Sequence, residues 1–270
     1  MGRIGRSFQI VGQSYRILMQ DKELMVLPLI SGVVITAVAL SFFFGFGLDP
    51  SALEEGGAGI YVPVFLLYVV TYTIGIFFQA AVVAGATERM RGGDPTVGSA
   101  LSAAGRRIGP IVLWAIVAAT AGMIIRAIQD RVGFVGKIVA SLAGAAWSLA
   151  TFFVVPVLVL EDRSIPDSFN RSVSVFKQTW GETMAGGTGI GIAAVCAWVT
   201  LMAIVSLVAS VAGMAALVLG AGGAVFLMIF FSALEGIYVA SLYRYATEGH
   251  TATGFDQTLL DQAFVPKSPR

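Results

Sequence analysis

The residues most able to do chemistry in this chain are polar side chains inside long apolar runs. Glu235 stands in Phe230-Phe-Ser-Ala-Leu-Glu-Gly236, nine residues before Arg244. At 1.5 Å per residue that is about 13 Å along a helix. A charged carboxylate at mid-bilayer costs roughly 2.5–3.5 kcal/mol or more, and less at this depth. Glu235 must therefore be protonated, partnered or wetted. Gln79 lies nine residues before Glu88 in another apolar run, at an equivalent depth. A Glu235–Gln79 contact is the expected intramembrane polar focus. It would be either a structural hydrogen bond, worth about 0.6–2 kcal/mol, or an ion or substrate site.

Arg126 is the second candidate, near the end of its run, with Asp130 one turn on and Arg131 and Lys137 beyond. One reading is a snorkelling Arg with a weak helical ion pair to Asp130. The other is a small outer basic site, Arg126, Arg131 and Lys137, for a lipid phosphate.

Catalysis finds little support. One cysteine (Cys196) and one histidine (His250) make no metal-ligand set, and no Ser/His/Asp group can be assembled. The pairs Glu54-Glu55 and Glu161-Asp162 read as surface turns. The run Gly186-Gly-Thr-Gly-Ile-Gly191 is not a phosphate loop, because no strand precedes it and its spacing fits neither GxGxxG nor the P-loop. Gly187 and Gly191 are spaced as GxxxG, which lets helices approach closely, and Gly122 and Gly144 sit in similar small-residue pairs. Gly220-Ala-Gly-Gly223 is either a packing contact or a loosened helix. No cofactor is expected.

Composition names the solvent for these groups. Hydrophobic residues make up 57% of the 270 and charged ones 12%, with a net charge of +1. Soluble domains run near 45–50% and about 25%. So much apolar side chain cannot be hidden from water, so the solvent is lipid. Near-neutral charge and the lack of a Lys/Arg run exclude a polycationic nucleic-acid binder.

Six runs exceed the roughly 20 residues that cross a ~30 Å hydrocarbon core. They are 24–47, 60–86, 108–128, 134–160, 184–209 and 214–242, with Pro28 near the start of the first and Pro156 expected to kink the fourth. Residues 1–23 are not a typical signal peptide, and 243–270 read as a polar cytoplasmic tail. Three segments carry an apolar stripe at helical spacing: 4–20 (Ile4, Phe8, Val11, Tyr15), 95–107 (Val97, Leu101, Ala104, Ile108) and 165–181 (Phe169, Val173, Phe176, Trp180). Ser164 caps the last with Asp167 three residues on, and Asp94-Pro95 opens the second. The expected fold is all-α, a polytopic bundle of six transmembrane helices in three hairpins, each preceded by an amphipathic interfacial helix.

The basic residues set the orientation. Segments 1–23, 88–107, 161–182 and 243–270 hold 14 of the 17 Lys and Arg. Positive-inside then places both termini and all three striped helices in the cytoplasm, against anionic headgroups. An internal triplication is suggested by Arg6-Ser7 and Arg171-Ser172, each followed by Gln-Ser-Tyr or Gln-Thr-Trp, and by Phe pairs at 77–78, 152–153 and 230–231. Phe pairs are also common in membrane spans generally.

Gly92-Gly-Asp-Pro-Thr96, Gly144-Ala-Ala-Trp-Ser148, Pro156, Arg171-Ser172 and Trp180-Gly-Glu182 resemble a prokaryotic six-span membrane family of unknown function, over residues 6–242. More distantly, helix plus hairpin is similar to the membrane domain fused to some glycerophosphodiester phosphodiesterases, whose soluble catalytic domain is not expected here. The resemblance implies a fold and a plasma-membrane location, but no activity and no site residues. Two functions follow as expectations: a non-catalytic scaffold that binds lipid, a copy of itself or a membrane partner, or a small transporter or channel lined by Glu235 and Gln79.

Overall fold

A computed structural model describes residues 14–46 and 60–248. All regular structure among these residues is helical. Residues 14–20 form α1, and a 3-10 turn at Lys22–Met25 leads into α2 (Val26–Phe46). Then come α3 (Tyr61–Met90), α4 (Val97–Gly105), α5 (Ile108–Arg131), α6 (Phe134–Thr151), α7 (Val154–Leu160), α8 (Ile165–Ala209) and α9 (Gly213–Glu248). Six stretches are long and apolar enough to cross a membrane: Lys22–Gly45, Tyr61–Met90, Ile108–Arg131, Phe134–Leu160, Gly186–Ala209 and Gly213–Arg244. In hydrocarbon a backbone must bond within its own segment, and these runs do so as helices. Their hydroxyls turn inward: Thr71, Thr120, Thr188 and Ser241 each donate to a main-chain carbonyl four residues back at 2.7 Å. That removes the cost of a bare O–H in an apolar span.

The chain divides into two compact units. Of the described residues, 14–28, 85–97 and 177–248 form the first, and 29–46, 60–84 and 98–176 the second. In the first unit α8 and α9 pack antiparallel. A methyl placed on Gly223 would meet Leu201 Cδ1 at 2.6 Å and one on Gly220 would meet Val205 at 3.4 Å. Further down, the Tyr238 hydroxyl occupies the space a side chain at Gly186 would need. α9 is continuous through Gly220–Gly223, and Gly220 and Gly223 serve as packing contacts.

In the second unit α5 and α6 reverse at Gly133 and pack together. Trp114 stacks on Trp147 (6.0 Å, 17°), and Trp147 on Phe169 of α8 (5.9 Å, 28°). Pro156 has no N–H to give the carbonyl of Phe152, and the helix breaks there, between α6 and α7. Ser172 repairs the break. Its hydroxyl accepts from the Phe153 N–H (3.0 Å) and donates to the Ala150 carbonyl (2.7 Å).

Several boundaries differ from the sequence reading. The segment 165–181 is not a separate helix, because α8 runs unbroken from Ile165 to Ala209. Gly181 lowers helix propensity but no proline interrupts the run, and glycine alone costs only about 1 kcal/mol. Ser164 does cap it: Oγ accepts from the Asp167 N–H at 3.3 Å and donates to Asp167 Oδ2 at 2.5 Å. The segment 95–107 is shorter, at Val97–Gly105. Its first N–H, on Val97, is taken by Glu23 Oε2 at 3.1 Å rather than by Asp94. The polar tail starts later than residue 243, since α9 continues to Glu248 with Tyr243 and Arg244 buried. Residues 4–13, Glu54, Glu55 and His250 lie outside the described residues.

The stripe on α8 is also not its most buried face. Phe169, Val173 and Phe176 are half-buried, while Ser168, Ser172, Val175, Thr179 and Thr183 are at most 3% exposed. Small side chains admit a neighbouring backbone, and the larger apolar ones flank the contact. The Phe pairs at 77–78, 152–153 and 230–231 are edge-on, but so are Phe43 and Phe44. Their geometry belongs to consecutive helical residues and carries no argument for triplication.

Candidate functional site

Glu235 is exposed on α9, between the buried Leu234 and Ile237. The α8–α9 contacts fix its level. Since Gly186 faces Tyr238 and Leu201 faces Gly223, Glu235 lies beside the turn Gly187–Gly191. No atom stands within 4 Å of where a side chain at Gly187 or Gly191 would begin. A carboxylate within an apolar span thus stands level with that turn of α8. Gln79 is likewise exposed, on α3, between the buried Phe78 and Ala80. It belongs to the second unit and Glu235 to the first.

Among the packing glycines, Gly122 lies 3.6 Å (from a placed methyl) to the Tyr72 hydroxyl, and Gly144 the same distance to Ile125. Of Gly186, Gly187 and Gly191, it is Gly186 that meets a neighbour, one residue from the expected Gly187. Spacing identifies a glycine motif but not its phase against the neighbour.

Arg126 reaches the neighbouring span. Its Nη1 donates to the Tyr68 hydroxyl at 3.0 Å. Tyr68 stacks on Tyr72 (6.2 Å, 23°), one helical turn away on α3. No ion pair joins Arg126 to Asp130 among the described residues. Arg131 and Lys137 are exposed at the same end of the second unit.

One polar cluster was invisible to sequence reasoning. Asp21, just before α2, is 5% exposed and stands 3.5 Å from Arg89 Nε. Arg89 also donates to the carbonyls of Gln20 (3.2 Å) and Gly93 (3.3 Å) and lies 3.4 Å from the exposed Asp94. Gly92, at φ +84, makes the left-handed turn that brings Gly93 and Asp94 back to Arg89. Burial pushes the Asp21 carboxyl above its ordinary value of 3.8, with Arg89 opposing and Glu23 and Asp94 adding to the rise. The pair joins residues 68 positions apart, and the only local signal is the short charged run Asp21-Lys22-Glu23 between two apolar segments. Ser241 donates to Met90 Sδ at 3.3 Å beside it, tying α9 into the same region.

The second unit has its own charged end. Arg107 pairs with Asp162, and Glu161 with Arg163 and with Arg171 (3.3 Å). No group of three His, Cys, Asp or Glu that could hold a metal occurs among the described residues. Cys196 is free and exposed. These arrangements can hold charge and accept or donate hydrogen bonds.

No curated protein and no solved structure matches the chain. Residues 58–255, from before α3 to beyond α9, match DUF6159, and this six-helix membrane chain therefore belongs to that family of unknown function.

Proposed function

We propose that this chain is a non-catalytic scaffold of a prokaryotic plasma membrane, which binds lipid and either a second copy of itself or another membrane protein. One observation carries the reading. The most apolar 18 residues of α8 have none buried and those of α9 have 6% buried, against 33% in α3. A helix pair so little covered by its own chain leaves apolar and glycine-bearing surface free on more than one side, which suits close contact with another helix. The wider arrangement belongs to the same proposal: three hairpins, amphipathic segments on the inner leaflet and both termini cytoplasmic. The basic residues support that orientation.

The test is cross-linking in native membranes, followed by mass measurement of the purified assembly. An oligomer or a stoichiometric membrane partner supports the scaffold, and a monomer with neither overturns it. The second reading, a small transporter or channel, is favoured by the exposure of Glu235 and Gln79 within their spans. Liposome flux of protons and small solutes, compared between wild type and Glu235→Gln, decides it. Wild-type flux no greater than through lipid alone removes that reading.

A further inference from the structure

Arg126 lies five residues, about 7.5 Å, inside the C-terminal end of α5, at the depth where hydrocarbon meets headgroups. It is exposed, its hydrogen-bond partner is a neutral phenol, and it forms no ion pair with the acid one turn away. A guanidinium has five N–H donors in a fixed fork. Tyr68 takes one of them and holds the fork in place. The Tyr68 oxygen accepts that bond, so its own proton remains to be given. Tyr72 stacks on Tyr68, and its hydroxyl reaches α5 at Gly122, one turn before Arg126, where there is no side chain to displace it. The aromatic pair is thus seated against α5 on both sides of the same turn. Arg131 and Lys137 add positive charge at this end, against Asp130 among the described residues. A fork of donors with no ion pair among the described residues, beside phenolic hydroxyls at headgroup depth, is matched by tetrahedral oxyanions.

We infer that Arg126, Tyr68 and Tyr72 form a binding site for the phosphodiester of an anionic membrane lipid. The Arg126 fork grips two phosphate oxygens and the Tyr68 hydroxyl donates to one of them. Arg131 and Lys137 supply attraction at longer range, which favours a headgroup without its own cation. This inference needs only that the helices span a membrane and stands whether the protein is a scaffold or a transporter.

The test measures phosphatidylglycerol retained by the full chain in native mass spectrometry, with phosphatidylcholine as comparison and inorganic phosphate as competitor. Wild type is expected to hold phosphatidylglycerol in preference to phosphatidylcholine. Arg126→Ala should weaken that binding about tenfold, the scale of one charge-assisted bidentate contact. Arg126→Lys should fall between, since it keeps the charge and loses the fork. Tyr68→Phe keeps the ring stack and so reads the site even if Arg126→Ala folds poorly. It should weaken binding by a few fold. Arg106→Ala, at the other end of the second unit, should lose less of it than Arg126→Ala. Equal retention by Arg126→Ala and Tyr68→Phe overturns the site, as does an equal loss in Arg106→Ala. Displacement of the lipid by millimolar inorganic phosphate overturns the lipid as its occupant.

Discussion

The Ser172 hydroxyl bridges the Phe153 N–H and the Ala150 carbonyl, two backbone groups set free where Pro156 interrupts the fourth span. Proline and serine are sixteen residues apart and on different helices, yet they form one device. The proline opens the helix and the serine satisfies what it exposes.

Ser172→Ala should therefore destabilise the protein by about 1–3 kcal/mol, the cost of leaving buried backbone groups without partners. Thermal unfolding in detergent measures it. Pro156→Ala restores an N–H that lets the helix continue, so the serine should matter less in that background. Equal losses in both backgrounds would show that the two residues act independently.

Gly186→Ala should lower the unfolding midpoint, because the Tyr238 hydroxyl fills the space that the new methyl needs. Overpacking of this kind costs about 1–3 kcal/mol. Tyr238→Phe removes the obstructing oxygen and should recover part of the loss. Gly187→Ala meets no atom and should leave the midpoint of the single chain unchanged or slightly raised.

Asp21 gives a pH dependence of defined sign. Its carboxyl is raised above 3.8 chiefly by burial, so the folded state binds its proton more tightly than the unfolded state. The stability it contributes is complete below 3.8, falls as pH rises through the folded value, and is level above it. Asp21→Asn should flatten that part of the profile, as read by unfolding midpoints across mildly acidic pH. A slope unchanged in Asp21→Asn would assign it to another group.

The two charged clusters should respond differently to neutralisation. Asp162 is 86% exposed beside Arg107, and Asp162→Asn should cost at most about 1 kcal/mol. Arg89→Ala should cost more, because it strips the counter-charge from buried Asp21 and empties the bonds to Gln20 and Gly93. The same unfolding series compares them.

Much of this molecule was legible without its fold. The six apolar runs are a property of length and composition, since hydrocarbon requires each segment to satisfy its own backbone. The cap at Ser164 and the break near Pro156 are also local, because a hydroxyl three residues from an N–H and a missing N–H act within one turn. What a helix buries is decided by its neighbour. The apolar stripe on α8 predicted a face of Phe169, Val173 and Phe176, but the most buried positions there are Ser168, Ser172 and Thr179, and Ser172 bonds the neighbouring backbone. Likewise, spacing marked Gly187 and Gly191, whereas the phase of α9 against α8 selected Gly186. The ion pair of Asp21 and Arg89, and the turn of Arg126 towards Tyr68 instead of Asp130, join distant segments. Hydropathy periods report which residues avoid water, and only tertiary packing determines which of them meet.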